Sequence, residues 1–254
     1  MKAGNKSRHD AAIVDYFGTA ITPITFSEWL ETIQAGIDGE NKPYLAASHN
    51  LHSLYLTRTD PSMAAFYRRC NTCYIDGMAV RIAAAAAGIA TTAEQRFSLM
   101  DKFPSLMQCA RRRGWRVVYL GSSQAVVDRA RECLGREFPG LDIALFSGYF
   151  DNDDDVVNAI NQLRPDLLLV GMGMPRQERW LLANLERLDV AVATHAGATL
   201  DYLVGAQAKP PAWVSSCGFA WLYRLAHDPR RLWRRYLVEP WALLVPTLRL
   251  WRAR

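Results

Sequence analysis

The feature that most constrains this chain is a regular alternation of short apolar runs with amphipathic stretches. Six apolar runs have the length and composition of buried strands: PYLAAS (43–48), TCYI (72–75), RVVYLG (116–121), LDIALF (141–146), DLLLVGMG (166–173) and VAVATHAG (190–197). Helical periodicity appears at residues 60–70, 77–88, 103–113, 123–137, 153–163 and 175–188. The alternation predicts an α/β, Rossmann-like fold: a mainly parallel sheet with helices on both faces.

Polar residues follow several of the predicted strands. Because ligands of parallel sheets bind at the carboxyl ends of the strands, these residues are candidates for a binding site. They are Ser48, Asn50, Asp76, Ser122, Ser123, Gly148, Gln177 and Asp201.

The pattern changes after about residue 205, where the segment KPPAW interrupts it. The remaining sequence predicts two or three short helices that are broken at Pro229, Pro240 and Pro246. We therefore expect a Rossmann-like catalytic core at residues 1–205 and a helical C-terminal appendage at residues 206–254.

The positive charge of the chain is concentrated in this appendage. Residues 209–254 contain nine Lys and Arg but only two acids, so the net charge of +5 arises there and the rest of the chain has a balance of −2. Five of the eight tryptophans lie in the same segment. Arginine combined with tryptophan favours contact with an anionic membrane surface over the competing nucleic-acid interpretation, so no nucleic-acid partner is expected.

The sequence also limits where the protein works. No run of 18 residues is both uncharged and continuously apolar, and the first ten residues, MKAGNKSRHD, are polar. The five cysteines are odd in number and thinly spread, which is typical of a reduced compartment. We expect a cytoplasmic protein that associates peripherally with the inner face of the plasma membrane.

The segment CNTCYIDG (70–77) contains two different candidates for chemistry. Cys70 and Cys73 lack the second cysteine or histidine pair that a zinc site needs, so we interpret them as core residues. Asp76 follows an apolar strand and precedes Gly77, which predicts a carboxylate at the strand-end cleft. The local sequence alone favours the simpler explanation that Asp76 is a helix cap, a position at which aspartate is common.

Two further motifs have more ordinary explanations. Asp151 and Asp153 match an Asp-x-Asp pattern that holds divalent cations, but acids in a first helical turn also interact favourably with the helix dipole. The segment GMGMP (171–175) lacks the third glycine of a dinucleotide fingerprint. We expect neither a metal site nor a cofactor.

The appendage also carries arginines at positions 224, 230, 231, 234 and 235. Arginine is well suited to bidentate contact with phosphate, so this cluster predicts binding of phosphate or anionic lipid.

Several segments together resemble the WecG/TagA/CpsF family of bacterial glycosyltransferases. They are YIDGMAV, GYF (148–150), LLLVGMGMPRQERW (167–180), HAGATLDYLVG (195–205) and WLYRLAHDPRRLWRRYL (221–237). The resemblance covers roughly residues 11 to 240. It implies an inverting, metal-independent transferase that moves a sugar from a UDP-sugar to a polyprenyl-diphosphate-linked saccharide during synthesis of bacterial cell-surface polysaccharide or exopolysaccharide.

The resemblance also implies roles for individual residues. Asp76 corresponds to the proposed general base. The substrate-binding positions correspond to Ser48, Asn50, Gln177 and Asp201, and the arginines that close over the diphosphate to Arg224, Arg231 and Arg234. Such a lid can complete its own site or a neighbour's, so a homo-oligomer is compatible with the sequence.

Three departures from the family pattern concern loops near a donor. Arg96 and Asp101 match substrate-binding positions of an Arg-x-x-Gly-x-Asp element, but Leu99 replaces its glycine. Ser122 stands where glycine is usual, and Lys209 stands in place of an arginine. These departures bear on the identity of the donor sugar more than on the reaction.

Two alternative functions stay open at this point. One is a divalent-metal-dependent nucleotide-sugar enzyme that uses Asp151 and Asp153. The other is a non-catalytic membrane adaptor whose function resides in the appendage.

Overall fold

The structure of the protein is a computed structural model that describes residues 14–16, 19–86, 88–207, 214 and 219–241. The strands are β1 (Val14–Tyr16), β2 (Thr19–Ile21), β3 (Tyr44–His49), β4 (Thr72–Ile75), β5 (Val117–Gly121), β6 (Ile143–Phe146), β7 (Leu167–Gly171) and β8 (Val192–His195). The helices of the first part of the chain are α1 (Phe26–Asp38), α2 (Leu51–Thr59), α3 (Pro61–Arg69), α4 (Met78–Ala86), α5 (Leu99–Arg113), α6 (Gln124–Glu137), α7 (Asp153–Leu163), α8 (Arg176–Asn184) and α9 (Thr199–Leu203).

Six strands form one parallel sheet in the order β4-β3-β8-β7-β5-β6. Each overlaps one of the six predicted apolar runs, so the predicted α/β, Rossmann-like fold is confirmed. Strands β1 and β2 form a separate antiparallel hairpin. This hairpin was not predicted from the sequence.

Helices pack on both faces of the sheet, which explains why the strand runs are continuously apolar. Val117 and Tyr119 of β5 lie in the hydrophobic core of one face, whereas Val118 and Leu120 lie in that of the other. Consecutive strand residues point to opposite faces, so a strand covered on both sides needs an apolar residue at every position.

Helices α1 and α2 were not predicted from the sequence either, although both begin with a recognisable capping box. The Thr25 hydroxyl accepts from the Glu28 amide at 3.3 Å, and the Glu28 carboxylate accepts from the Thr25 amide at 2.8 Å. Asn50 and Ser53 make the equivalent pair of bonds at 3.0 and 2.9 Å. These reciprocal bonds satisfy amides that the first helical turn leaves open.

The described part of the appendage is helical. It contains α10 (Ala220–His227), α11 (Pro229–Trp233) and a widened, π-helical turn (Arg234–Val238). Pro229 begins α11 as predicted, but the break predicted at Pro240 is wrong, because the chain stays helical from 239 to 241. The amide of Glu239 bonds to the Arg234 carbonyl, five residues back, and a wider turn of this kind accommodates a proline within a helix.

Two other predictions for this segment, at Lys209 and Pro246, fall outside the described residues. The domain boundary at residues 205 and 206 stays a prediction, because residues 208–213 and 215–218 beyond it are not described.

Glycines bring the ends of β5 and β7 into close contact. A Cβ on Gly121 would lie 2.2 Å from the carbonyl oxygen of Gly171, so no larger residue fits there. The Ser122 amide donates to that same carbonyl at 3.2 Å, and the Gly148 amide donates to the Ser122 carbonyl at 2.9 Å. The ends of β5 and β7 are therefore packed closely together, and the space for a ligand lies toward β4, β3 and β8.

Candidate active site

A cavity of about 230 Å³ lies at the carboxyl ends of the strands, between the sheet and the C-terminal helices. Its sheet side includes Ser48, Asn50, Tyr74, Asp76, Gln177 and His195. Its other side is formed by Arg224 of α10, Leu232 of α11, and Arg235 and Tyr236 of the widened turn. The appendage therefore contacts its own core across this cavity.

Asp76 supplies the carboxylate of the cavity. Its amide donates to the His49 carbonyl at 2.8 Å, which fixes the backbone beyond β4. No donor among the described residues makes a hydrogen bond with its carboxylate oxygens, so the helix-cap bond that the local sequence permits is not seen there. Burial raises the pKa of Asp76 above its ordinary value, although the charges of Arg224 and Arg235 oppose this effect.

Two guanidinium groups face this carboxylate region from the appendage. Arg224 lies over the ring of Tyr202 at 5.7 Å and Arg235 over that of Tyr236 at 5.7 Å. The Nε atom of each arginine is buried and has no hydrogen-bond partner in the structure. Buried donors without partners carry a desolvation cost, which an anionic ligand would relieve.

The appendage places its arginines differently from the sequence-based expectation. Arg224 and Arg235 line the cavity, whereas Arg234 is exposed. The predicted contacts of Arg224, Arg231 and Arg234 with the diphosphate stay predictions. Arg231 belongs to α11, and its side chain is outside the described set. An α-helical periodicity cannot predict which of these arginines lines the cavity. A π-helical turn adds one residue and so rotates the following side chains by about 100° relative to an α-helix.

Ser48, His195 and Glu178 form a hydrogen-bonded series beneath the cavity. The Ser48 hydroxyl lies 3.2 Å from His195 Nε2, and His195 Nδ1 lies 2.8 Å from Glu178 Oε1. The order of groups is that of a serine nucleophile, a base and an orienting acid. However, the Ser48 backbone amide donates to the same Nε2 at 2.7 Å, so the lone pair that a base would use is already occupied.

His195 is thus held with its proton on Nδ1, and it supports the end of β3 instead of activating Ser48. Neither His195 nor Glu178 was predicted from sequence, although both fall in segments that carry the family resemblance. Glu178 is completely buried, and its second oxygen has no hydrogen-bond partner among the described residues.

Gln177 lines the cavity but its amide is engaged by the protein. Its Oε1 accepts from the Gly197 amide at 3.1 Å, and its Nε2 donates to Glu178 Oε1 at 2.7 Å. These bonds join the start of α8 to the turn after β8. The predicted contact of Gln177 with substrate stays a prediction.

Asn50 offers one free group to the cavity. Its Oδ1 accepts from the Ser53 amide at 3.0 Å and so caps α2. Since the cap requires the oxygen at this place, the NH₂ group of Asn50 is the group that can donate to a ligand.

Three predicted substrate-binding residues do not line the cavity: Arg96, Asp101 and Asp201. Arg96 lies beside Ile75 at the end of β4, and its Nε is buried without a hydrogen-bond partner in the part of the chain that the structure describes. Asp101 is exposed in the first turn of α5, and its negative charge adds to the raised pKa of Asp76. Their predicted contacts with substrate stay predictions.

Asp201 is engaged with Ser122. Its Oδ2 accepts from the Ser122 hydroxyl at 2.7 Å. Ser122 has a φ of 59°, in the left-handed region that favours glycine, the residue that the resemblance leads one to expect at this position. In this chain the hydrogen bond to Asp201 holds Ser122 in this left-handed conformation.

The alternative metal-binding motif is used structurally. Asp153 accepts from Trp180 Nε1 at 3.0 Å and from Asn184 Nδ2 at 3.4 Å, and Asp151 is exposed away from the cavity. Among the described residues, no group of three or more His, Cys, Asp and Glu could hold a metal ion.

Cys70 and Cys73 are free thiols. Cys73 is buried in β4, as expected of a core residue.

A strand-end cavity that combines one carboxylate with two cationic side chains is typical of an enzyme that acts on an anionic substrate. The profile described as "Glycosyl transferase WecG/TagA/CpsF family" matches residues 14–254 of this chain. The chain belongs to this family, and it is a glycosyltransferase.

Curated relatives agree with this assignment. The chain is 24% identical over 239 residues to the N-acetylglucosaminyldiphosphoundecaprenol N-acetyl-beta-D-mannosaminyltransferase of Staphylococcus aureus strain MW2, with 90% of each chain covered. Proteins of the same name from strains NCTC 8325 / PS 47 and MRSA252 match with the same identity and coverage.

Proposed function

We propose that this chain is an inverting, metal-independent glycosyltransferase. It transfers a sugar from a UDP-sugar to a polyprenyl-diphosphate-linked saccharide in the synthesis of a bacterial cell-surface polysaccharide. The observation that carries this proposal is the cavity in which Asp76 faces Arg224 and Arg235. The names of the relatives support the class of acceptor, since those enzymes act on N-acetylglucosaminyldiphosphoundecaprenol.

In the proposed reaction, a hydroxyl of the acceptor sugar attacks the anomeric carbon of the donor. A new carbon–oxygen bond forms there while the bond from the same carbon to the diphosphate oxygen breaks, so the configuration inverts. Asp76 takes the proton of the hydroxyl, and UDP leaves with the bonding electron pair. A half-buried carboxylate with a raised pKa and no hydrogen bond from the described residues is suited to this role.

The departing diphosphate gains negative charge, which Arg224 and Arg235 are placed to neutralise. Both residues line the cavity, each has a buried Nε without a hydrogen-bond partner among the described residues, and arginine binds phosphate oxygens in bidentate geometry. Fixed cations of this kind can replace a divalent ion, which is why we propose that the reaction needs none.

The test is a transfer assay. The protein is incubated with a panel of UDP-sugars and with polyprenyl-diphosphate-linked N-acetylglucosamine, and UDP release and product mass are followed with and without EDTA. We expect UDP release that depends on both substrates and survives EDTA. Loss of activity in EDTA would support the metal-dependent alternative with Asp151 and Asp153, and absence of transfer for every donor would support the adaptor.

We also propose that the appendage rests on an anionic membrane. Its described residues expose a series of large apolar side chains: Phe219, Trp221, Leu222, Trp233, Leu237, Val238 and Trp241. Exposed arginines such as Arg230 and Arg234 lie among them. Indole rings at headgroup depth with arginines beside them suit a surface of anionic lipid, where the acceptor also resides.

This contact would be peripheral. In the parts of the chain that the structure describes, no helix is long and apolar enough to cross a bilayer.

A further inference from the structure

A partly buried polar contact joins the appendage to the core at one side of the cavity. His52 Nδ1 and Glu239 Oε2 lie 2.7 Å apart. The two residues are 187 positions apart in the chain, and their side chains are only 18% and 9% exposed. This is unlike the ion pair of Arg69 with Glu186, whose side chains are 53% and 78% exposed.

Because Glu239 is buried, breaking this contact costs more free energy than breaking an exposed one. A carboxylate that is withdrawn from water needs a donor, and His52 provides one whenever its Nδ1 carries a proton. Exposed pairs contribute little because water solvates either partner after separation. Separating His52 from Glu239 without moving the appendage would instead leave a buried acceptor unsatisfied.

Both residues are adjacent to groups that line the cavity. His52 lies in the first turn of α2, two positions after Asn50. Glu239 directly follows the widened turn that carries Arg235 and Tyr236. The same turn is tied to α10 by the ring contact of Tyr236 with Trp221, at 6.0 Å between centroids. A contact at Glu239 therefore fixes where Arg235 and Tyr236 stand relative to the strand ends.

We propose that His52 and Glu239 form a latch that holds the appendage closed over the active site of its own chain. They are positioning residues: neither lines the cavity, and both act through the turn that carries Arg235. The kinetic part of this inference rests on the proposed function, whereas the closure itself does not.

The latch has a specific kinetic consequence. If only the closed form binds substrate productively, loosening the latch lowers the populated fraction of that form and raises the apparent dissociation constant in proportion. At a saturating concentration of donor, binding restores the population of the closed form. His52→Ala and Glu239→Ala should therefore raise the donor KM about tenfold and leave kcat within about twofold.

The decisive measurement is hydrogen–deuterium exchange of the substrate-free, full-length chain. In His52→Ala and in Glu239→Ala, peptides covering 229–241 should exchange about tenfold faster, while peptides of β5 and β7 should stay protected. The double variant should show no further increase, because both changes remove the same contact. Glu186→Gln, which removes the exposed pair, is the matched control and should exchange like the parent protein.

Conservative variants guard against a simple folding defect. Glu239→Gln keeps an acceptor oxygen and His52→Gln keeps a donor, so both should preserve most of the protection in 229–241. Three results would overturn the latch. They are additive effects of the two alanine changes, unchanged exchange in 229–241, and a fall in kcat at constant KM. Absence of sugar transfer would count against the proposed function alone, because the exchange measurement needs no substrate.

Discussion

The carboxylate of Asp76 and the guanidinium of Arg224 line the same cavity without forming an ion pair with each other. Arg224 is near enough for its charge to oppose the raised pKa of Asp76, but the described residues leave the carboxylate oxygens without a hydrogen bond. A carboxylate in direct contact with arginine would be a poor base, since its charge would already be neutralised. This separation allows one group to take a proton while the other stabilises a departing anion.

The first prediction concerns Asp76→Asn. This change keeps the size of the side chain but removes the group that can accept a proton, so turnover should fall by about two orders of magnitude or more. Circular dichroism and UDP binding should stay close to those of the parent protein. Asp151→Asn is the matched control, since it changes an exposed aspartate away from the cavity; equal losses in both variants would remove Asp76 from the proposed mechanism.

The raised pKa of Asp76 predicts a pH dependence. A general base works only when it is deprotonated, so kcat/KM should fall as the pH drops through the pKa of this group in the free enzyme. An ordinary aspartate has a pKa of about 3.9. Because burial raises the pKa of Asp76, the acidic limb of the profile should lie above that value. A profile of kcat/KM against pH in buffers of constant ionic strength tests this. An acidic limb at or below the ordinary range would contradict the assignment.

The same shift predicts an effect on stability with a defined sign. The folded protein holds the Asp76 proton more strongly than the unfolded chain, so this group stabilises the fold below the ordinary aspartate pKa and loses that contribution as the pH rises through the raised value. At neutral pH the buried charge is a cost, and Asp76→Asn should raise the Tm. Thermal unfolding at neutral pH and near pH 4 measures this, and the gain should shrink at the lower pH.

Much of the fold could be predicted because six strands are buried on both faces. Such strands are continuous apolar runs, and these remain visible without knowledge of their partners. Helix α2 was missed because its sequence, LHSLYLTRT, lacks a clear apolar face, so only the capping box of Asn50 and Ser53 marks its start. The same residue Asn50 was predicted from its place after β3, and it does line the cavity.

Other parts of the site could not be read from sequence spacing. The widened turn rotates Arg235 toward the cavity and Arg234 to the surface, and no pattern in the sequence marks where such a turn occurs. The pairing of His52 with Glu239 spans 187 positions and depends on how the appendage docks. Ser48 was predicted to bind substrate and it lines the cavity, but its bonds to His195 depend on the adjacency of β3 and β8 in the sheet.

A further prediction concerns the exposed tryptophans of the appendage. Trp233 and Trp241 are 48% and 68% exposed and do not line the cavity, so changing both to glutamine should weaken membrane contact without altering the active site. Flotation with vesicles that contain anionic lipid should show a large loss of binding. Activity on a short-chain, water-soluble acceptor should be retained. Ile82→Gln is the control, since it removes a side chain that is 62% exposed on α4; equal binding by the double variant and the control would contradict the proposal.

The last prediction separates two neighbouring arginines. Arg234→Gln and Arg235→Gln remove the same charge from the same turn, so any general attraction to anionic lipid or substrate should weaken equally in both. Only Arg235 lines the cavity, where its buried Nε has no hydrogen-bond partner. If it stabilises the leaving diphosphate, Arg235→Gln should lower kcat/KM by about a hundredfold, whereas Arg234→Gln should change it by less than about twofold. Steady-state kinetics on a water-soluble acceptor measures the difference free of membrane effects. Similar losses in the two variants would mean that the positive charge of the turn, and not the position of one guanidinium group, supports the reaction.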